Sequence, residues 1–116
     1  MTIEKEPRVF ITQIPWRLNQ KTQLYEPIFS LNAVAEHGRP VEMFTRTDTS
    51  LSHDINRRVK NALEDFNSSN DFILISGDPG IISHTCAILG REHGGAFTQL
   101  LWDNRTRRYF KLKVRV

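Results

Sequence analysis

The sequence predicts one small α/β domain, an α+β arrangement with a mixed sheet of about five strands, two main helices and a C-terminal antiparallel hairpin. Three observations carry this. An apolar run, Phe72 to Ile75, passes through a glycine turn into a second apolar segment, as strand, turn and helix. Upstream, Ile55, Val59, Ala62, Leu63 and Phe66 repeat with the period of a helix face. Downstream, FTQLLWD and RRYFKLKVRV are strand-like segments joined at the turn-prone pair Asp103–Asn104.

Taken in order, RVFITQI (Arg8 to Ile14) reads as a first strand, rich in β-branched and aromatic residues and stopped by Pro15. PWRLNQKTQLYEP follows as a long polar loop between Pro15 and Pro27, presenting Trp16 and Tyr25 beside Arg17 and Lys21. SLNAVAEHG fits a short helix with Ser30 as N-cap and Gly38 at its end. PVEMFTR (Pro40 to Arg46) is a short strand in which Val41, Met43 and Thr45 alternate with Glu42, Phe44 and Arg46.

The amphipathic helix takes Ser50 or Ser52 as cap and Asp54 in its first turn, and Asn67 to Asn70 end it. Its outer face, with Arg57, Arg58, Lys60 and Glu64, reads as solvated. The Phe72–Ile75 strand has no polar alternation, as expected of a strand covered on both faces. Asp78 as N-cap and Pro79 at the first helical position start the second helix. Ile81, Ile82, Cys86, Ile88 and Leu89 make that helix apolar on most sides, and Gly94 and Gly95 end it. Strand–helix–strand around it favours a parallel, right-handed crossover.

At 116 residues the chain fits a single domain, 1–116, able to bury a core without staples. The composition, 39% apolar and 25% charged, is that of an ordinary globular protein. No apolar run is long enough to span a bilayer, and MTIEKEPRVF has no apolar signal core, so neither membrane insertion nor export is expected. The single cysteine, Cys86, fits a reducing cytoplasm.

Catalytic patterns are missing. SGDPG resembles an anion-binding turn, but no Lys follows Gly80, Asp78 opposes an anion and Pro79 removes an N–H donor. The turn therefore reads as structural, with nucleotide binding as a subordinate alternative. His37, His53, His84 and His93 are scattered, and His84 and Cys86 point apart on one helix, so neither a metal nor another cofactor is expected. Cys86 reads as a small buried hydrophobe rather than a nucleophile.

The net charge of +3 conceals a segregation. Residues 105–116 carry six Lys/Arg and no acid, whereas residues 1–104 carry the other ten and all thirteen Asp/Glu. On the terminal strand, Phe110, Leu112, Val114 and Val116 share a face expected to meet the core. Arg107, Tyr109, Lys111, Lys113 and Arg115 share the other, a cationic row containing an aromatic, with Arg105 and Arg108 near the turn. Lys and Arg neutralise phosphates while aromatic rings stack bases, which suits single-stranded nucleic acid. Trp16 with Arg17 is a second candidate contact; Trp102, beside Leu100 and Leu101, reads as core. The bland alternative is that the basic residues only protect an edge strand from pairing.

The segments FILISGDPGII, AILGREHG and LLWDNRTRRYFKLKV resemble small phage-encoded proteins of mostly unassigned function, with FITQIP and FSLNAVAEHG fitting the same pattern. In size and charge the chain is also loosely similar to single-stranded-DNA-binding transcription cofactors of lytic phages. The first resemblance implies work inside an infected bacterial cell. The resulting expectation is a non-enzymatic protein that binds nucleic acid, single-stranded DNA above all, in phage replication or transcription. The alternative is a protein-interaction module, binding a phage or host enzyme such as a polymerase or forming a homodimer through its terminal edge strand.

Overall fold

The computed structural model describes residues 6–49, 51 and 54–115. Five strands form one sheet: β1 (Arg8–Gln13), β4 (Arg39–Phe44), β5 (Phe72–Leu74), β6 (Ala96–Asp103) and β7 (Arg108–Arg115). Their order is β4-β1-β5-β6-β7; the first four are parallel and β7 returns antiparallel to β6. Three helices connect them, α1 (Leu31–Ala35), α2 (Ile55–Ala62) and α3 (Pro79–Glu92). The α+β architecture with its closing hairpin is as the sequence predicts. Among the described residues no helix is long and apolar enough to cross a membrane.

Alternate residues of each strand supply two cores. Phe10, Ile73 and Phe97 meet Ile55, Val59, Leu63 and Phe66 of the α2 segment and Ile81, Ile88 and Leu89 of α3. Val9, Ile11, Leu74 and Leu100 meet Val34 of α1 and Tyr109 of β7 on the opposite face. The sheet is thus sandwiched between α2 and α3 on one side and the short α1 on the other.

The segment expected to be a long loop folds into its own antiparallel hairpin, β2 (Trp16–Asn19) and β3 (Leu24–Pro27). Asn19 makes the turn: its side-chain oxygen accepts from the N–H groups of Lys21 and Thr22. No apolar alternation announced these strands, because the hairpin buries little of its own surface.

Helix α2 stops earlier than its periodicity suggests. The Arg8 guanidinium donates to the Asp65 carbonyl at 2.6 Å, and the Asp71 carboxylate accepts from Asn67 N–H at 2.9 Å. Backbone groups that would continue the helix are engaged by these side chains instead. Asp54 occupies the cap position itself, and its carboxylate pairs with Arg57 rather than capping. Ser50 and Ser52, expected as caps, lie outside the described residues, as do His53 and Val116. The start of α3 follows the sequence reading: Asp78 Oδ1 accepts from Gly80 N–H at 2.8 Å and Ile81 N–H at 3.3 Å, with Pro79 following.

Candidate functional site

The basic terminal segment becomes an edge strand. β7 pairs with β6 from Asp103↔Arg108 to Ala96↔Arg115, and among the described residues its other side has no strand neighbour. Cross-strand partners share a face, so Trp102 and Tyr109 lie on the α1 side with Lys111, Lys113 and Arg115. Phe110, Leu112 and Val114 lie on the side of α2 and α3. Arg105 and Arg107 belong to the turn, and Arg108 begins the strand.

Two expectations about this strand are reversed. Tyr109, assigned to base stacking, is only 9% exposed: it packs into the α1-side core and meets Trp102 and His37 edge-on, with centroids 5.0 and 6.1 Å apart. Burial raises its phenol pKa. Phe110 and Leu112, assigned to the core, are 48% and 43% exposed. The reason is coverage. α1 packs over the α1 face of β7 at Tyr109, whereas the opposite face leaves Phe110 and Leu112 substantially uncovered. Trp102, expected in the core, is 42% exposed, and its indole N–H donates to Asn104 Oδ1 at 2.9 Å. The accessible aromatic on the cationic face is Trp102, not Tyr109.

Arg105, Arg107, Arg108, Lys111, Lys113 and Arg115 are all exposed, and among the described residues none forms a salt bridge. Of the nine described cations of the body, Lys21, Arg39, Arg46 and Arg91 likewise form no salt bridge among the described residues, but the other five are paired. Arg8 pairs with Asp65 and Asp71, Arg17 with Glu26, Arg57 with Asp54, Arg58 with Asp48 and Lys60 with Glu92. Lys111 also lies over the Phe72 ring at 4.9 Å, which holds it to the α1 face of the sheet.

Trp16 and Arg17 do not join this row. They lie on β2, beyond the C-terminal end of β1, while β5 and β6 stand between β1 and β7. Trp16 is half-buried against the α1-side core, and Arg17 is occupied by Glu26 at 3.5 Å.

At that end of the sheet lies a second feature that sequence reasoning missed. Without its hairpin the sheet order corresponds to 2-1-3-4-5, so the connections from β1 and β5 diverge and leave a crevice beyond their carboxyl ends. Gln13 fills it. Its side-chain N–H₂ donates to the carbonyls of Thr45 and Asp48 at 2.7 and 2.8 Å, and its oxygen accepts from Asp78 N–H at 2.8 Å. Thr12 Oγ1 accepts from Ser76 N–H, and Ser76 Oγ donates to the Gln13 carbonyl. Gly77 has φ +92°, and a Cβ there would fall 2.5 Å from the Gln13 side chain.

Outside this knot a recess is lined by Trp16, Tyr25, Arg46, Thr49 and Gly77. Arg46 stacks on the Tyr25 ring at 4.0 Å. Asp48 accepts from Arg58 at 2.7 Å and from Thr45, and these bonds, Arg58 foremost, lower its pKa. Desolvation and then the neighbouring Asp48 charge raise that of Glu42. The SGDPG turn is committed to tying loops together, with the Asp78 carboxylate occupied by the helix N–H groups.

Cys86 is half-buried on α3, and desolvation raises its thiol pKa, which suppresses thiolate formation. Among the described residues, no three His, Cys, Asp or Glu side chains converge as a metal site would require. No curated protein and no solved structure matches the chain. The Phage Pam3 gp32-like protein family matches residues 7–116, and the chain belongs to that family of phage proteins.

Proposed function

We propose that this protein binds nucleic acid, with single-stranded DNA as the preferred form, through the α1 face of β7 and the adjoining turn, in phage replication or transcription. One observation carries the reading: among the described residues, five of the nine cations of the body form salt bridges, whereas none of the six on β7 and its turn does, and all six are exposed. A row of unneutralised charge at a sheet edge suits a polyanion, whose condensed counterions are released on binding. Lys111, Lys113 and Arg115 recur every second residue, about 6.5–7 Å apart, close to the repeat of a phosphate backbone. Arg105, Arg107 and Arg108 extend the charge around the turn. Trp102 takes the stacking role first assigned to Tyr109, and Trp16 and Arg17 have no part in this surface.

The alternative of self-association through β7 is less favoured on electrostatic grounds. Twofold antiparallel pairing of β7 with its copy keeps equivalent faces together. Centred on Leu112, it sets Lys111 opposite Lys113 of the second copy; shifted by one residue, it sets Lys111 opposite Arg115 or opposite its own equivalent. Like charges directly opposite are destabilising. An acidic partner protein presenting an extended strand would escape this penalty and remains the second reading.

The test is fluorescence anisotropy with labelled single- and double-stranded oligonucleotides across a salt series. The expected result is tighter binding to single strands, with a log–log salt slope of roughly −3 to −4, the value for four to six phosphate contacts. A folded Lys111→Glu/Lys113→Glu variant should lose the interaction. Binding unaffected by salt, or by this reversal of charge, would refute the reading.

A further inference from the structure

The cationic row ends at a cleft. Its volume is about 580 Å³, within the range of roughly 300–1,000 Å³ common for small-molecule sites. Its walls come from the carboxyl ends of β5 and β6 and from the chain entering α1: Phe29, Leu74, Leu101, Trp102 and Tyr109 among them, with Arg107. Among the described residues, no carboxylate lines it. A neighbouring cleft shares Trp102, Arg107 and Tyr109 but adds Glu36, which opposes an anionic ligand.

Three features suit the larger cleft to a flat ring attached to an anion. Trp102 is held at a defined angle by its bond to Asn104 and by edge contact with Tyr109, yet stays 42% exposed. Ser30 Oγ accepts from Ala33 N–H, which leaves its O–H to donate. Finally, Arg107 has φ +59°. Its N–H donates to the Asp103 carbonyl at 2.8 Å, closing a hairpin turn whose left-handed position favours Gly or Asn. Gln23 takes the same conformation in the β2–β3 turn, at φ +60° with its N–H on the Asn19 carbonyl at 2.8 Å, so the geometry belongs to the turn; its consequence here is to place Arg107 on the cleft wall.

We propose that this cleft receives an unstacked nucleobase of the bound strand, stacked on Trp102, with the Arg107 guanidinium on the adjoining phosphate. The inference rests on the reading of β7 as a nucleic-acid surface and adds where a base is read. It also accounts for a preference for single strands, because a paired base cannot leave its stack without losing its partner.

The test separates the two ideas. Anisotropy is measured with a short labelled oligothymidylate and with an abasic strand of equal length, which keeps the phosphates and removes the bases. The cleft predicts at least about fivefold tighter binding of the oligothymidylate, the effect of one stacked base. Trp102→Ala should erase that difference. Arg107→Gly should also diminish it while the melting temperature stays equal or rises, since glycine relieves the left-handed strain; this guards against a loss caused by unfolding. Trp16→Ala should leave the difference intact. Equal affinity for the two strands would overturn the cleft while the charged row stands. Loss of the difference in Trp16→Ala but not in Trp102→Ala would also overturn it. Failure of both strands to bind would overturn the row and the cleft together.

Discussion

Removing the Asp71 carboxylate should be among the most damaging single substitutions in this chain. Its side chain is 1% exposed and accepts four hydrogen bonds. The donors are Arg8 N–H at 3.1 Å, Arg8 Nε at 3.4 Å, Arg8 Nη2 at 2.8 Å and Asn67 N–H at 2.9 Å. The group thereby fastens the start of β1 to the loop between α2 and β5. Its hydrogen bonds, foremost among the causes, raise the pKa of Arg8, so the guanidinium stays charged at any pH of interest. In Asp71→Ala, a mostly buried guanidinium loses its deepest partner and two backbone N–H groups lose their acceptor. Breaking a buried pair from one side costs about 3–5 kcal/mol. At about 4 °C per kcal/mol, a domain of this size should melt roughly 12–20 °C lower. The exposed partner, Asp65, provides the contrast: Asp65→Ala should cost under about 1 kcal/mol. Thermal and urea unfolding followed by far-ultraviolet circular dichroism measures both. The double variant Arg8→Ala/Asp71→Ala should be less damaged than the sum of its parts, since no charge is left stranded. A loss below about 1 kcal/mol for Asp71→Ala would show that the pair is not a structural tie and would refute the argument.

Further predictions concern the other tie, the acid limb and assembly. Gly77→Ala should destabilise by roughly 2–4 kcal/mol in urea unfolding, because the added methyl combines left-handed strain with collision against the Gln13 side chain. Asp48 has a folded-state pKa below its ordinary value of 3.8, so its stabilising contribution is complete above that value and disappears as pH falls through the lower folded one. Asp48→Asn should therefore flatten the acid limb of the stability profile; an unchanged limb would refute the link. Light scattering should give a monomer in low salt, where repulsion between β7 strands is strongest, and a stable dimer lost on charge reversal at Lys111 and Lys113 would contradict the like-charge argument.

Several local features were legible because they depend on neighbours in sequence. Asp78 and Pro79 start α3 as their chemistry requires, since cap and helix N–H groups lie within three residues of each other. The 3.6-residue spacing named Ile55 and Val59 as the buried face of α2, because a helix must turn its apolar stripe toward whatever it packs on, and Leu63 and Phe66 are buried just beyond its end. The alternation in β7 correctly separated Lys111, Lys113 and Arg115 from Phe110, Leu112 and Val114. Membership of a phage family agreed with the resemblance seen in FILISGDPGII and LLWDNRTRRYFKLKV.

What alternation could not say was which face would be covered. It assigned Phe110 and Leu112 to the core and Tyr109 to solvent, and the fold did the reverse at these positions. An edge strand has covering layers only where another element reaches it, and here α1, distant in sequence, reaches Tyr109. The same holds for the Gln13 knot: Thr45, Asp48 and Asp78 lie 32, 35 and 65 residues away, so nothing local marks Gln13. Trp16 with Arg17 looked in sequence like an aromatic and a cation free to bind, until β3 supplied Glu26 and the sheet order put them far from β7. The sequence by itself determined the elements of the main sheet, the caps Ser30 and Asp78 and the concentration of charge on the last strand, because propensity, periodicity and composition act over a few residues. Tertiary structure alone decided which charges were neutralised, which aromatic was left exposed and where a cleft opened, because those depend on contacts between residues far apart in the chain.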